Sequence, residues 1–262
     1  MQIQLNGDAA YAYTAGRDLK PGQPTVVFIH GAAMDHSVWI LQSRYFAYHG
    51  YNVLALDLPG HGRSDGPLLT RVDVLADWLW RLLDTVGVDS VSLVGHSMGS
   101  LIATEAAAGA PERVTHLALL GAAMPMAVSD ALLSAAKAND HLALDMVNVW
   151  GHGARAHFGG HPVPGLWMAG AGIRLLERAA PDVLYTDLKA CNDYRSGLER
   201  AKSVTCPVML LLGREDMMTP PRAAAPLVEA FPDSRSVVLD RCGHSMMVER
   251  SDAVLEALAG FL

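Results

Sequence analysis

The sequence predicts an α/β protein: a mainly parallel sheet of eight strands, helices on both of its faces, and one helical segment inserted into it. Three observations carry this prediction. Strand-like and helix-like segments alternate along most of the 262 residues. The strand-like runs are apolar without clean period-2 alternation, the pattern of strands buried on both faces. The alternation then breaks between about residues 124 and 204, a gap too long for one connection.

Taken in order, residues 1–5 and 10–14 read as an antiparallel hairpin at one edge of the sheet. Residues 26–29, 52–56, 90–94, 114–120, 208–212 and 236–239 supply six further strands. Residues 38–49 read as a helix stopped by Gly50. Residues 71–86 form an amphipathic helix that ends at Gly87, with Val74, Leu75, Trp78, Leu82 and Val86 at helical spacing. Residues 100–108 read as an alanine-rich helix, stopped by Gly109 and Pro111. Residues 221–230 and 252–262 behave similarly. The interrupting segment reads as helices at 130–138, 142–150, 171–179 and 183–192. Its Gly-, His- and Pro-rich stretch 151–165 reads as a flexible loop. The domain expectation is therefore a core of residues 1–122 and 206–262, with a helical cap of residues 123–205 inserted after the sixth strand.

Composition narrows the function classes. With 20 basic and 27 acidic residues, the net charge is -7 and no basic patch stands out, so nucleic acid is not an expected partner. The mean hydropathy is +0.20. However, the most apolar stretch, residues 117–128, is about a dozen residues, too short to span a bilayer, and Pro125 interrupts it. Residues 1–20 contain no apolar core flanked by basic residues, so no secretory leader is expected. Cys191, Cys206 and Cys242 cannot all pair and lack metal-ligand spacing. Free thiols in a reducing cytoplasm are the simplest reading.

The most informative motif is Gly95-His96-Ser97-Met98-Gly99, directly after the apolar run 91–94. G-x-S-x-G between a strand and a helix is a nucleophile elbow. The turn is too tight for side chains at its flanks, so glycine holds both outer positions and the serine hydroxyl is pushed out. A serine hydroxyl needs a base to take its proton, and the base needs a carboxylate to orient it. In an open α/β sheet such groups follow the carboxyl ends of strands. Gly213-Arg214-Glu215-Asp216 supplies Asp216 after one strand, with Glu215 as a rival one residue away. Cys242-Gly243-His244 supplies His244 after the last strand. Cys242 is a rival nucleophile, with much poorer context than Ser97.

These residues make the sequence resemble a capped, cofactor-free serine hydrolase of the α/β-hydrolase superfamily, of the carboxylesterase or enol-lactone hydrolase kind. The matching blocks are His30-Gly31, Asp57-Leu58-Pro59-Gly60-His61-Gly62-Arg63-Ser64, the elbow, Gly213-Arg214-Glu215-Asp216 and Gly243-His244. They cover the core from end to end and leave the cap without a motif. The resemblance implies the α/β-hydrolase fold and the catalytic order Ser97, Asp216, His244. It also implies an oxyanion hole built from the backbone N–H groups of Ala32 and Met98. Many relatives have Pro or Gly where this chain has Ala33. His30, Gly31 and the 57–64 turn are expected to be structural, and His96 and Met98 to line or support the pocket. In the cap, Met146, Trp150, His157, Trp167, Met168, Tyr185 and Tyr194 are candidates to face substrate, against the simpler reading that each packs the cap onto the core. Glu249 is expected as a helix cap or solvated carboxylate.

The implied activity is hydrolysis of a small carboxylic ester or lactone through an acyl-enzyme, with no metal and no cofactor. The elbow serine argues against haloalkane dehalogenases and epoxide hydrolases, whose relatives use an elbow aspartate. C–C bond hydrolases of the meta-cleavage product type share the triad and cap, though they often have asparagine where this chain has His96. Perhydrolases and acyl thioesterases stay open, as does a hydrolase-fold receptor that traps a ligand under the cap. The expected partner is a small molecule, with neither nucleic acid nor membrane, and a homodimer is left open.

Overall fold

The computed structural model describes residues 1–161 and 165–262. Part of the expected loop 151–165 therefore lies outside the described residues. Eight strands form one sheet: β1 (Gln2–Leu5), β2 (Asp8–Tyr13), β3 (Thr25–Ile29), β4 (Asn52–Asp57), β5 (Val91–His96), β6 (Val114–Leu120), β7 (Val208–Gly213) and β8 (Ser234–Leu239). Their spatial order is β1-β2-β4-β3-β5-β6-β7-β8. The first two pair antiparallel at one edge, and β3 to β8 run parallel.

Among the described residues, helices flank the sheet in chain order. They are α1 (Ile40–Tyr48), α2 (Val72–Thr85), α3 (Met98–Gly109), α4 (Asp130–Lys137), α5 (His141–Trp150), α6 (Ala154–His157), α7 (Met168–Leu176), α8 (Val183–Asp193), α9 (Gly197–Ala201), α10 (Ala225–Ala230), α11 (Met246–Glu249) and α12 (Ser251–Ala259). Helices α4 to α9 all lie between β6 and β7. None of these helices is long and apolar enough to cross a membrane.

The missing period-2 signal has a plain cause. Val27, Leu93, Leu119 and Leu210 pack on one face with α2 and α3. The next residues along the same strands, Phe28, Val94, Leu120 and Leu211, pack on the other face with Trp39, Phe46 and the α12 residues Val254 and Leu258. Both faces are dry, so both sets must be apolar. Strand β8 departs from the expectation. It is an edge strand with Val238 38% exposed, and it begins at Ser234. A third cluster, built on Leu132, Val147, Leu184 and Leu188, holds the insert together and reaches Ala33 of the core.

Register sets the site. Ile29 pairs with Gly95, Gly95 with Leu119, Leu120 with Leu211, and Gly213 with Leu239. The carboxyl ends of β3, β5, β6, β7 and β8 are therefore level. Whatever follows each strand gathers at one rim, where ligands bind in open α/β sheets.

Candidate active site

Strand β5 ends at His96 and α3 begins at Met98, so Ser97 makes the turn alone. Its φ is 52°, in the left-handed region, a conformation that costs a residue with a Cβ about 1–3 kcal/mol. Burying one large apolar side chain contributes about 1.5–3 kcal/mol, and the flanking strand and helix bury many, so packing easily imposes the strain. Ser97 N–H donates to Leu120 O at 2.9 Å, and Ser97 O accepts the Ser100 hydroxyl at 2.6 Å. A Cβ on Gly95 would strike the Gly99 carbonyl, and one on Gly99 would strike the Ile29 and His30 carbonyls. Both flanking glycines are sterically required.

His244 follows β8 and faces the elbow. Its Nδ1 donates to Asp216 Oδ2 at 2.7 Å, and both side chains are buried. Asp216 Oδ1 accepts the N–H groups of Met218 and Thr219 at 2.8 Å each, and the Thr219 hydroxyl donates to Oδ2 at 2.7 Å. Burial opposes the Asp216 charge, but the His244 ring and these donors outweigh it and hold its pKa down at about 2. Glu215 turns away and accepts the Ala154 N–H at 3.1 Å, so Asp216 is the acid that meets His244.

With Nδ1 committed to Asp216, the other ring nitrogen of His244 is the free one. Nε2 is buried and has no hydrogen-bond partner among the described residues. His244 lines a chamber of about 200 Å³ that Ser97 also lines. His96 sits behind, donating from Nε2 to His244 O at 2.9 Å. Burial, then the proximity of His244, pushes the His96 pKa down to about 3, so this support is neutral. Gly121, at φ 59°, supports the opposite side: a Cβ there would lie 2.8 Å from His244 Cε1.

The loop after β3 closes the site. A Cβ on Gly31 would lie 2.9 Å from His96 Nδ1 and 3.1 Å from Ser97 Cβ, so the chain passes tightly against the elbow. His30 Nδ1 donates to Gly31 O at 2.8 Å and its Nε2 accepts the Leu58 N–H at 3.1 Å, which requires a neutral ring. Among the described residues, neither the Ala32 nor the Met98 backbone N–H donates to another protein group. Met98 opens α3, where unpaired N–H groups and the helix dipole favour negative charge.

A family profile described as alpha/beta hydrolase fold matches residues 24–149, and one described as TAP-like protein matches residues 183–262. A 2-hydroxy-6-oxononadienedioate/2-hydroxy-6-oxononatrienedioate hydrolase of Paraburkholderia phymatum is 30% identical, with 94% of this chain and 89% of that protein covered. The chain belongs to the α/β-hydrolase family. Among solved structures, the enol-lactonase of Burkholderia xenovorans superposes with a TM-score of 0.87 at 20% identity, covering 100% of this chain and 99% of that one. An esterase of Exiguobacterium antarcticum gives 0.84 at 23% identity, covering 99% and 97%. At such identities these two likenesses show the fold.

In this α/β hydrolase the insert supplies much of the chamber wall. Trp150, Leu184 and Leu188 line it opposite Ala32 and Ser97. A second chamber of about 320 Å³ adjoins it, and the two share Met34, Val147, Met218 and His244. Met168 lines the second chamber. The other expected pocket residues lie elsewhere. Trp167 is 64% exposed, ahead of α7, and stacks on Gly170. Met146 and Tyr185 pack within the insert, and His157 meets the His152 ring. Tyr194 donates its hydroxyl to Glu105 of α3 at 2.6 Å. His96 lies behind His244, outside both linings. Glu249 is neither a helix cap nor solvated. It is buried, and its Oε2 accepts the N–H groups of Gly153 and Gly243 at 3.0 Å each, tying the His244 loop to the insert.

Cys242 is fully buried, and burial pushes its thiol well above the ordinary range, which leaves no thiolate to act. Asp35, His36 and Asp57 bring three ligand-type groups together. Their bonds are already made: Asp57 accepts the His36 N–H and Nδ1–H and the Arg63 N–H, and Asp35 accepts the Ser37 N–H. Thr219 and Gly121 support the His244–Asp216 pair without having stood out in the sequence. The only available signals were a Thr three residues after an acid and a Gly directly after a strand.

Proposed function

We propose that this α/β hydrolase is a serine hydrolase that cleaves a small, uncharged carboxylic ester or lactone, with helices α4 to α9 as its cap. One observation carries the reading. His244 and Ser97 line one chamber, His244 Nε2 is buried and has no partner among the described residues, and Nδ1 is anchored on Asp216.

The steps follow from that geometry. His244 Nε2 takes the Ser97 proton as Ser97 Oγ bonds to the substrate carbonyl carbon. The negative charge that develops on the carbonyl oxygen is held by the Ala32 and Met98 N–H groups. The bond to the leaving oxygen breaks as His244 returns the proton to it. Water then attacks the acyl-enzyme by the same route and frees Ser97. Asp216, ionised throughout, stabilises the positive charge that His244 carries in each transition state.

The acyl preference rests on the wall. Met126, Leu132, Trp150, Leu184, Leu188 and Met217 give the Ser97 chamber an apolar lining, and no Lys or Arg is among its described lining residues. A carboxylate buried there would meet no Lys or Arg of that lining, while the adjoining chamber carries Arg174 and Arg178. The Paraburkholderia phymatum relative, 30% identical, is named for a dioate substrate, which favours C–C bond hydrolysis as the second reading. The charge-free wall favours the ester.

The test is hydrolysis of p-nitrophenyl acetate, butyrate, octanoate and palmitate by the wild type and Ser97→Ala. The expected result is turnover with a short-chain optimum that falls about a thousandfold or more in the variant. Near-wild-type turnover by Ser97→Ala would overturn the assignment. No turnover of any ester by the wild type would leave the C–C substrate or a ligand receptor.

A further inference from the structure

Outside the proposed catalytic groups, the described residues hold one other buried imidazole–carboxylate pair at hydrogen-bond distance with both members nearly dry. Asp187 lies on α8 of the insert and is 2% exposed. Its Oδ2 accepts two bonds from the core, the Ala33 N–H and His61 Nε2–H, at 2.8 Å each. These partners are 154 and 126 residues away in sequence.

The charge state of the pair follows from its partners. His61 Nδ1 faces Pro59 O at 3.0 Å, and Nε2 faces the carboxylate. Both are acceptors, so both ring nitrogens carry hydrogen and the ring is an imidazolium. Burial works against that charge, but the Asp187 carboxylate prevails, and the His61 pKa lies above its ordinary value. The neighbouring His30 ring, 5.0 Å away, is neutral, its pKa pushed down to about 4 by burial and by His61. A buried ion pair of this kind is weak evidence for stability, because an apolar pair of similar size serves as well. Its second bond, to the backbone of the oxyanion loop, needs another explanation.

Ala33 directly follows Ala32 and sits at φ 54°, in the left-handed region where a side chain is disfavoured. The orientation of the Ala32–Ala33 segment is therefore imposed from outside. Two groups impose it: His30, through the Gly31 carbonyl, and Asp187, through the Ala33 N–H.

We infer that Asp187 is a positioning residue that holds the Ala32 N–H toward the developing oxyanion by anchoring the Ala33 N–H, so that the docked insert completes the oxyanion hole. This rests on the serine hydrolase reading above. The Asp187 carboxylate touches no reacting atom and acts only through the loop.

The experiment measures kcat and KM for p-nitrophenyl butyrate, and the affinity for a small alkylboronic acid, in wild type, Asp187→Ala, Asp187→Asn and Ser97→Ala. The boronic acid forms a tetrahedral adduct on the serine and reports the oxyanion hole directly. Folding is monitored by circular dichroism. Losing one oxyanion donor outright costs about 10²–10³-fold in kcat, so misorienting one is expected to cost about 10–100-fold. Asp187→Ala should show that loss with KM changed less than about threefold and boronic acid affinity reduced in parallel, the pattern of a group that acts in the transition state. Asp187→Asn keeps an oxygen for the Ala33 N–H and should retain most of kcat. If Asp187→Ala does not fold, the double variant Asp187→Leu/His61→Phe removes the acceptor with the volume filled and should show the same loss. Unchanged kcat and boronic acid affinity in a folded Asp187→Ala or double variant would overturn the inference, whatever the thermal stability. So would Asp187→Asn as damaged as Asp187→Ala. Turnover that survives Ser97→Ala would sink the serine reading itself, a distinguishable failure.

Discussion

Gly121 shows how little space the candidate site leaves. A Cβ there would lie 2.8 Å from His244 Cε1 and 2.9 Å from Nδ1, and the residue sits at φ 59°. Gly121→Ala should push the imidazole off Asp216. A displacement of about 1 Å costs roughly 10²-fold in rate, so kcat on p-nitrophenyl butyrate should fall about 10–100-fold with the fold retained. An unchanged kcat would mean that the ring has room the geometry denies it. Ser97, Asp216 and His244 stand out in the sequence as candidates because each follows a strand end with glycine nearby, and strand ends are easy to read. Gly121 and Thr219 do not, because a supporting residue is defined by what it touches. Cys242 has poor sequence context for a nucleophile, and its fully buried thiol supplies the physical reason against that role.

At the scale of elements, the buried strands were plain in the sequence and the short helices were not. Four-residue helices such as α6 and α11 make barely one turn, too little for a periodic apolar face. Helix α11 carries Glu249, whose carboxylate joins Gly243 to Gly153 of the insert. Burial raises the Glu249 pKa above its ordinary 4.5, against the two N–H donors, and Asp216 and Glu215 add repulsion. Its Oε1 is buried without a partner among the described residues. Because the folded pKa is raised, this group favours folding below pH 4.5 and loses that contribution as pH rises through the folded pKa. Glu249→Gln keeps an oxygen for both N–H groups and removes the charge. The difference in Tm, variant minus wild type, should therefore become more positive as the pH rises from about 4 to 7, as followed by calorimetry. A difference that stays flat or falls would contradict a raised Glu249 pKa.

Across the whole molecule, the candidate catalytic residues follow strands of the sheet, and the insert lines the chamber beside them. The break in strand–helix alternation is legible in the sequence, and helices α4 to α9 fall there, between β6 and β7. The sequence did not reveal which side chains face substrate, because that depends on how the insert docks: Trp150 reaches the Ser97 chamber, while Trp167 is out in solvent. Two outcomes test the wall. Leu188→Phe should shorten the preferred acyl chain, with kcat/KM for octanoate falling about tenfold more than for acetate. The p-nitrophenyl monoester of glutaric acid, which carries a free carboxylate, should be at least about tenfold poorer than butyrate, since the described lining of the Ser97 chamber offers the charge no Lys or Arg. Equal rates would place a cation at the chamber that its described lining lacks. Helix α8 carries Leu184, Asp187 and Leu188 on one face, at helical spacing. Two of these line the chamber, and the third grips the loop beside Ala32. Selection for a new substrate through α8 would thus tend to disturb turnover, whereas changes at Leu132 of α4 or Trp150 of α5 leave that grip alone. A library aimed at altered selectivity should randomise those two positions first and keep α8 as inherited.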